Sequence, residues 1–366
     1  MKAKQKPFIA SVVAGVALLG LVATAQAGDY HIVKTIQVPG APIKTVDFST
    51  LDQDNGLMYV SDRSNHGIDV FDTNTDTFVR RYGGFRGVYN QPEASGPNIA
   101  RRDGNTLWVT DAPSNVKAID LKSGKIVTEI DCGGGYWRID GAALDHKDHI
   151  LMAESADTSP PYLCWIDTKG HKLVEKQKLM HEATAGLEGS VWDDRTDTFY
   201  LALPEVNHGP GAVYQINPTS HEVMKKYALP AGDECEAGGI SLNKEQNEIL
   251  VGCDGKNYTD IISLKDGSVL QTGFLGGTDQ TAFDPIHHKY FLGSRRGSKG
   301  SVLGVIDSVT HKLEASPQTA KKTHAVEVNH RTGEVYLPME PNKDAFDNDE
   351  AKGLSCTHGC IGVYAQ

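Results

Sequence analysis

The sequence predicts an all-β fold, a ring of seven repeated four-stranded units, and three observations support this. The chain of 366 residues contains 38 glycines and 16 prolines, with only 7% aromatic residues. Its apolar stretches are short and are interrupted by turn residues about every 8–12 positions, which is typical of strands. Two polar motifs recur along the chain, and no segment beyond the first 27 residues shows the spacing of an amphipathic helix.

The first motif is a seven-residue turn between two strands. It begins with Asp, Asn or Ser, and a short polar side chain at this position bonds its own backbone in a turn. The copies begin at Asp72, Asp120, Asp167, Asn217, Ser263 and Asp307. Successive copies lie 44 to 50 residues apart, which is typical of one propeller blade.

The second motif is a small-residue strand, a polar turn and a strand that ends in YVSD, WVTD or a relative. Its seven copies have their turns at Asp52, Asp103, Asp145, Asp193, Asn243, Asp284 and Asn329. Together the two motifs give four strands per unit. The seventh unit stops at 361–365 without a fourth strand, and residues 30–38 can supply it. The sequence therefore predicts a single seven-bladed β-propeller over residues 28–366, closed by its N-terminal strand.

The first 27 residues have the pattern of a cleaved signal peptide. Lys2, Lys4 and Lys6 precede an apolar run at 8–23 and a small-x-small site at 25–27. Cleavage leaves 339 residues and takes the net charge from −11 to −14, because three lysines are removed. No later stretch approaches the roughly 18 apolar residues of a membrane span. We therefore expect a periplasmic or secreted protein that does not bind nucleic acid, since phosphate binding needs clustered cations.

The seven inner strands predict a polar ring at one mouth of the central channel. Counting five residues back from each turn of the second motif gives Asp47, Asn98, Asp140, Glu188, Gly238, Asp279 and His324, with Glu236 two residues before the glycine. Carboxylates that converge must be neutralised by protons or by a cation.

A divalent metal would neutralise this ring. Its oxygen ligands suit Ca²⁺, Mg²⁺ or Mn²⁺, whereas His324 favours a transition metal. The principal ligands would be Asp140, Glu188, Asp279 and His324, supported by Asp47, Asn98 or Glu236. The alternative is that these polar strand starts bind water and cap strands.

The ends of the second strands predict a wider tier at the same face. Its members are Asp62, Asp111, Glu154, Glu205, Asp254, Arg295 and Glu340. Arg138, Arg295 and Arg296 either clamp a ligand carboxylate or balance the surrounding acids. His324, Asp279 and Arg295 are the candidate catalytic residues. The loop from Glu340 to Cys356 is either a lid over the mouth or a solvated acidic loop.

Six cysteines in an exported chain permit three disulfides. Cys235 and Cys253 lie nearly opposite each other on the predicted hairpin of blade five. Cys356 and Cys360 can close a small loop, and elimination leaves Cys132 with Cys164. The alternative for the second pair is a metal clip that also uses His358.

The strand ends MYVSD at 58–62 and LWVTD at 107–111 resemble the YVTN family of exported β-propellers. This resemblance implies the fold and export, without a reaction. The predicted architecture is also similar to that of gluconolactonases and virginiamycin-type lyases, which hold a metal with inner-strand side chains. That similarity implies a metal-dependent hydrolase or lyase acting on a small molecule. The competing hypothesis is a non-catalytic binding, scaffold or sensor propeller of the cell envelope, with a protein partner.

Overall fold

A computed structural model describes residues 30–273, 275–297, 300–341 and 354–366 of the chain. It contains seven four-stranded antiparallel sheets arranged as the blades of a β-propeller, as predicted. The predicted signal peptide, residues 1–27, lies outside the described residues. So do Asp344, Asp347, Asp349 and Glu350 of the acidic loop.

Six blades each consist of four consecutive strands. Blades one to three are β2–β5 (Val46–Asp52, Leu57–Asp62, Gly67–Asp72, Thr77–Gly83), β6–β9 (Ala100–Asp103, Thr106–Asp111, Asn115–Asp120, Lys125–Asp131) and β10–β13 (Ala142–Asp145, Ile150–Glu154, Tyr162–Asp167, Lys172–Leu179). Blades four to six are β14–β17 (Ser190–Asp193, Thr198–Leu203, Ala212–Ile216, Val223–Ala228), β18–β21 (Ala237–Asn243, Glu248–Cys253, Thr259–Ser263, Val269–Thr272) and β22–β25 (Gly276–Asp284, Lys289–Gly297, Gly300–Asp307, Leu313–Ala315).

Blade seven combines both ends of the chain. It contains β26–β28 (Glu327–Val328, Val335–Met339, Cys360–Ala365), and β1 (His31–Gln37) is its outermost strand. β1 runs antiparallel to β28, with a bulge between Ile32 and Lys34. Tyr30 and Ile32 pack towards blade six, whereas Ile36 packs towards blade one. The bulge accounts for this, because one extra residue reverses which face the following side chains occupy.

Local hydrogen bonds explain the second repeated motif. The side-chain Oδ1 of the turn residue accepts from the backbone N–H two positions later in most blades. The distance is 3.1 Å at Asp52, 2.8 Å at Asp145, 3.1 Å at Asn243 and 2.8 Å at Asp284. Each inner hairpin is therefore fixed by its own sequence, which is why the repeat is visible without the structure.

Buried apolar clusters join neighbouring blades. One cluster packs Trp108 and Val116 of blade two against Leu151, Tyr162 and Ile166 of blade three. The disulfide between Cys132 and Cys164 links the same two blades. Apolar burial between sheets is the main stabilising force in such a ring.

All three predicted disulfide pairings are confirmed. The Cα–Cα distances are 5.8 Å for Cys132–Cys164, 4.6 Å for Cys235–Cys253 and 5.2 Å for Cys356–Cys360. These distances lie in the ordinary disulfide range. The bond between Cys356 and Cys360 leaves no thiolate for the alternative metal clip. Three disulfides fit the oxidising compartment expected of an exported protein.

The described part of the chain is helical only in two three-residue 3₁₀ turns, Arg63–Asn65 and Pro92–Ala94. Among the described residues, no helix has the length and apolar character needed to cross a membrane.

Candidate functional site

The inner strands bring the predicted ring residues to one mouth of the central channel. Asp47 lies in β2 and Asp279 in β22, whereas Asp140 and Glu188 directly precede β10 and β14. Backbone hydrogen bonds link neighbouring members across blades: Phe48 N–H donates to Asn98 C=O at 3.1 Å, and Gln280 N–H donates to His324 C=O at 3.0 Å. Equivalent strand positions therefore do converge, as the alignment of repeats predicts.

Arg63 is the central cation of one half of this ring. Its guanidinium donates to the Asp47 carboxylate, and its Nε donates to Asn98 Oδ1 at 3.1 Å. Its Nη2 also lies 3.8 Å from Asp140 Oδ1, so one side chain from blade one contacts blades two and three. Only 6% of Arg63 is exposed. Burial on this scale requires ionic partners, which Asp47 and Asp140 provide, and Asn98 adds a neutral acceptor.

Arg63 is absent from the sequence-based prediction, although it directly follows Asp62 of the second tier. A count restricted to inner strands cannot find it, because it sits in a 3₁₀ turn after the second strand of blade one. The available signal was its position directly after Asp62. The hairpin registers, Val46 with Asp62 and Thr278 with Ser294, make Arg63 the equivalent of Arg295, which the predicted tier placed one position early.

The predicted arginines are paired with acids rather than open to a ligand. Arg138 Nη2 lies 2.9 Å from Asp140 Oδ2, and Arg138 Nε lies 3.3 Å from Asp157 Oδ2. Although burial opposes it, the surrounding carboxylates, with Asp140 first, raise the pKa of Arg138. This arrangement favours the second role predicted for these arginines, in which they balance the charge of the surrounding acids.

Arg295 plays the same part on the opposite half of the ring. Its Nη2 lies 2.6 Å from Asp254 Oδ1 and 2.8 Å from Asp279 Oδ1. Burial nevertheless raises the pKa of Asp279 to about 7, against the effect of Arg295. Arg296 is more exposed and lies 3.8 Å from Asp254.

Glu188 is the ring carboxylate that has no matching cation. It lies between the two arginine-paired halves, and none of the described side chains forms an ion pair or hydrogen bond with its carboxylate. Burial, followed by repulsion from Asp140 and Asp279, raises the pKa of Glu188 well above its ordinary value. Arg138 opposes this shift without removing it. Glu188 is therefore the ring member most ready to carry a proton or meet a ligand cation.

His324 contributes a neutral imidazole to the ring. Its Nδ1 lies 3.0 Å from the Lys322 carbonyl oxygen. Burial, together with Arg295 and Arg63, lowers the pKa of His324 to about 4. The ring at neutral pH therefore has no histidine charge to offset its carboxylates.

The described side chains do not form a ready coordination shell for a metal ion. Throughout the described ranges, one group of three His, Cys, Asp or Glu donors lies within 4.8 Å of one another, namely Cys235, Cys253 and Asp260. Its two cysteines are in a disulfide, so they are not thiolate ligands. Three of the ring carboxylates, Asp47, Asp140 and Asp279, are already paired with arginines, whereas Glu188 is not. The ring side chains as arranged therefore do not fit a divalent metal ion. The metal site expected from the sequence stays a prediction.

Three acids of the second tier each have a partner close by. Asp62 accepts from the backbone N–H of Asn65 at 3.0 Å, so it caps its own turn, and Asp111 lies 2.9 Å from Lys117 Nζ. Glu340 is paired with Lys322 at 3.3 Å.

The tier residues Glu205 and Asp254 line an acidic pocket of about 470 Å³ beside the ring, between blades four, five and six. Its carboxylates are Glu188, Glu205, Asp233, Glu234, Glu236, Asp254 and Asp279. No lysine or arginine is among the described residues that line it. Glu236 thus faces this pocket rather than the centre of the ring.

These features define the class of the protein as a seven-bladed propeller with an ionic network at one mouth of its channel. No known protein-family model matches the chain, and no curated protein matches it. The YVTN resemblance therefore stays a prediction. Many solved structures share the fold, including a chain of Kuenenia stuttgartiensis hydrazine synthase. That chain is 16% identical, with a TM-score of 0.66 over 83% of this chain and 96% of the other. At this identity the likeness shows the fold alone.

Proposed function

We propose that this protein is an exported propeller that binds a small organic cation at the channel mouth, in the acidic pocket beside Glu188. The observation that carries the proposal is the unmatched Glu188 carboxylate, which borders this pocket and lies close to Asp140 and Asp279. A bound cation would stabilise the ionised form of this carboxylate, which burial and the neighbouring Asp140 and Asp279 disfavour.

The charges around the mouth support an attraction for cations. Each of Arg63, Arg138 and Arg295 is already shared between two carboxylates. Glu188 and Glu236 remain outside these ion pairs. The acidic lining of the pocket would concentrate a cation before it reaches Glu188.

The size of the pocket favours an organic cation over a bare ion. A volume of about 470 Å³ suits a small molecule, whereas a metal ion needs several donors within one coordination sphere. Divalent metal binding, with Asp140, Glu188, Asp279 and His324 as the predicted ligands, would need these side chains to move together.

Hydrolysis of a lactone or ester, or β-elimination, remains the proposed chemistry if the site is catalytic. Glu188 then serves as the proton donor or acceptor, because burial and its acidic neighbours raise its pKa well above the ordinary value of a carboxyl group. His324 is neutral and can accept a hydrogen bond from the substrate. The competing proposal, a scaffold or sensor propeller, uses the same cation site without a reaction.

The test is isothermal titration calorimetry of the mature protein with 1,4-diaminobutane. We expect binding that tightens as the pH rises, because burial raises the pKa of Glu188 and the ionised carboxylate is the form that pairs with an ammonium group. Glu188→Gln should weaken binding by at least about tenfold. Glu129→Gln, which removes an exposed carboxylate on β9, should leave it unchanged.

Elemental analysis of protein purified without chelator distinguishes metal binding from amine binding at the mouth. No amine binding, together with one divalent ion per chain that is lost in Glu188→Gln, would replace the proposal by the metal site. Neither amine nor metal binding would refute a cation site at the mouth and would favour the scaffold alternative. Lactone, ester and elimination substrates, compared between wild type and Glu188→Gln, test the chemistry.

A further inference from the structure

The central channel contains a second cavity, which among the described residues shares only Asp279 with the acidic pocket at the mouth. Its volume is about 430 Å³, within the range of small-molecule pockets. It extends from Asp279 at the mouth to the turns at the opposite face, where Lys244 and Glu245 are exposed at its rim. Its walls are largely apolar and include Phe48, Ile99, Ile240, Phe283 and Val328.

Arg101 supplies a positive charge to the middle of this cavity. It lies in β6, where its Nε donates to the Ala142 carbonyl at 2.7 Å and its Nη1 donates to Thr50 Oγ1 at 3.0 Å. Both partners are neutral, and no described carboxylate forms an ion pair with it. Burial lowers the pKa of Arg101, with Glu327 and Glu154 opposing the shift from a distance. Arg101 is half-buried, and a guanidinium taken partly out of water without a counter-ion is unfavourable, so the cavity offers a place for an anion.

Glu154 provides a second polar group with a free position. Its side chain is fully buried, and its Oε1 accepts from Ser190 Oγ at 3.2 Å. Its Oε2 is buried and has no hydrogen-bond partner. Gly141 makes room for this carboxyl group, because a Cβ at Gly141 would lie 1.9 Å from Oε1. The glycine therefore lets a second-strand side chain reach past the inner strand into the channel.

Glu327 and Gln280 complete the polar groups of the cavity wall. Gln280 Oε1 accepts from the Ser49 backbone N–H at 3.0 Å, which directs its Nε2 towards Glu327 Oε1 at 2.8 Å. Burial raises the pKa of Glu327 to about 8 and that of Glu154 well above its ordinary value. Because burial disfavours the ionised form of both carboxyl groups, they oppose an anion in the cavity less than ordinary carboxylates would.

We propose that the central channel is a second binding site, for a small carboxylic acid with an apolar body. Arg101 binds the ligand carboxylate, Glu154 lines the same cavity with an oxygen that has no other partner, and Phe48, Ile240 and Phe283 enclose the apolar body. The apolar walls favour a carboxylate of this kind over a hydrated inorganic anion. This site differs from the mouth site in the sign of the charge that it selects.

The test is a titration of the mature protein with phenylacetate, followed by the fluorescence of Trp192, which lines the cavity. Phenylacetate should bind wild type saturably and change this fluorescence. Phenylacetamide, which has the same shape without the charge, should bind at least tenfold more weakly. Trp192→Phe should remove the signal but retain binding in calorimetry.

Two variants locate the site. Arg101→Gln should weaken phenylacetate binding by about 30-fold, the effect of losing one charge-assisted contact. Arg80→Gln, which removes an exposed arginine on β5, should bind like wild type. Ala282→Phe narrows the cavity with Arg101 in place and should also abolish binding. Circular dichroism checks that both variants fold.

Three results would overturn the proposal. The first is that wild type binds none of phenylacetate, benzoate and hexanoate up to millimolar concentration, which needs no variant to fold. The second is that folded Arg101→Gln binds as tightly as wild type. The third is that phenylacetamide binds as well as phenylacetate. None of these results bears on amine binding at Glu188, so the two proposals fail separately.

Discussion

Removing one apolar side chain from the closing strand should destabilise the whole ring. Ile36 is 5% exposed and packs with Val60 and Phe71 of blade one, whereas Ile32 is also 5% exposed and packs towards blade six. Truncating a buried Ile to Ala costs about 2–5 kcal/mol. We therefore expect Ile36→Ala and Ile32→Ala each to cost about 3 kcal/mol, or roughly 4 °C in Tm for a chain of this size.

The two substitutions act on different blade interfaces, so their effects should add. Sites without shared partners are additive within about 0.5 kcal/mol. The double variant would then lose about 6 kcal/mol, a large part of the stability of an ordinary domain. Val33, which is 42% exposed on the same strand, provides the matched control, and Val33→Ala should change stability by less than about 0.5 kcal/mol.

Urea and thermal unfolding followed by circular dichroism measure these effects. One cooperative transition that shifts as a whole would show that the closing strand stabilises the complete ring. The reasoning is refuted if both isoleucine variants melt within about 1 °C of Val33→Ala. It is equally refuted if β1 detaches in a separate early transition while the main transition stays in place.

Two further predictions concern stability. Replacing Cys132 and Cys164 by Ser should cost about 3–4 kcal/mol by the loop-entropy relation, more than the roughly 2 kcal/mol for the shorter loop between Cys356 and Cys360. Equal Tm losses for the two pairs would contradict that ranking. Glu327 has a pKa of about 8 in the fold against 4.5 as its ordinary value, so wild type should lose stability as pH rises between these values. Glu327→Gln lacks this loss, and its Tm relative to wild type should increase from about pH 5 to pH 8; an unchanged difference would refute the assignment.

Much of the fold could be predicted because its signals are local. Asp52, Asp145 and Asp284 bond their own backbones, so each inner hairpin has a recognisable sequence. The missing fourth strand of the last blade identified β1 as the closing strand. The disulfide between Cys235 and Cys253 followed from hairpin geometry, whereas that between Cys132 and Cys164 followed from elimination alone.

The candidate site could be predicted in position but not in chemistry. Counting along equivalent strands located Asp47, Asp140 and Asp279 at one mouth, because blades repeat their geometry. The count could not show that Arg63 reaches across two neighbouring blades, since that contact depends on how the blades pack. It also could not show that Glu154 turns into the channel, because this depends on the space left by Gly141 in the adjacent strand.

The sheet that joins β1 to β28 has a consequence for biosynthesis. Its register pairs Gln37 with Cys360 and His31 with Ala365, positions 323 and 334 residues apart. Pairing over such separations carries the largest loop-closure cost in the chain and forms slowly. The ring therefore cannot close before β28 has been synthesised. Such late closure keeps the chain open during synthesis, which is compatible with the export predicted from the pattern of residues 1–27.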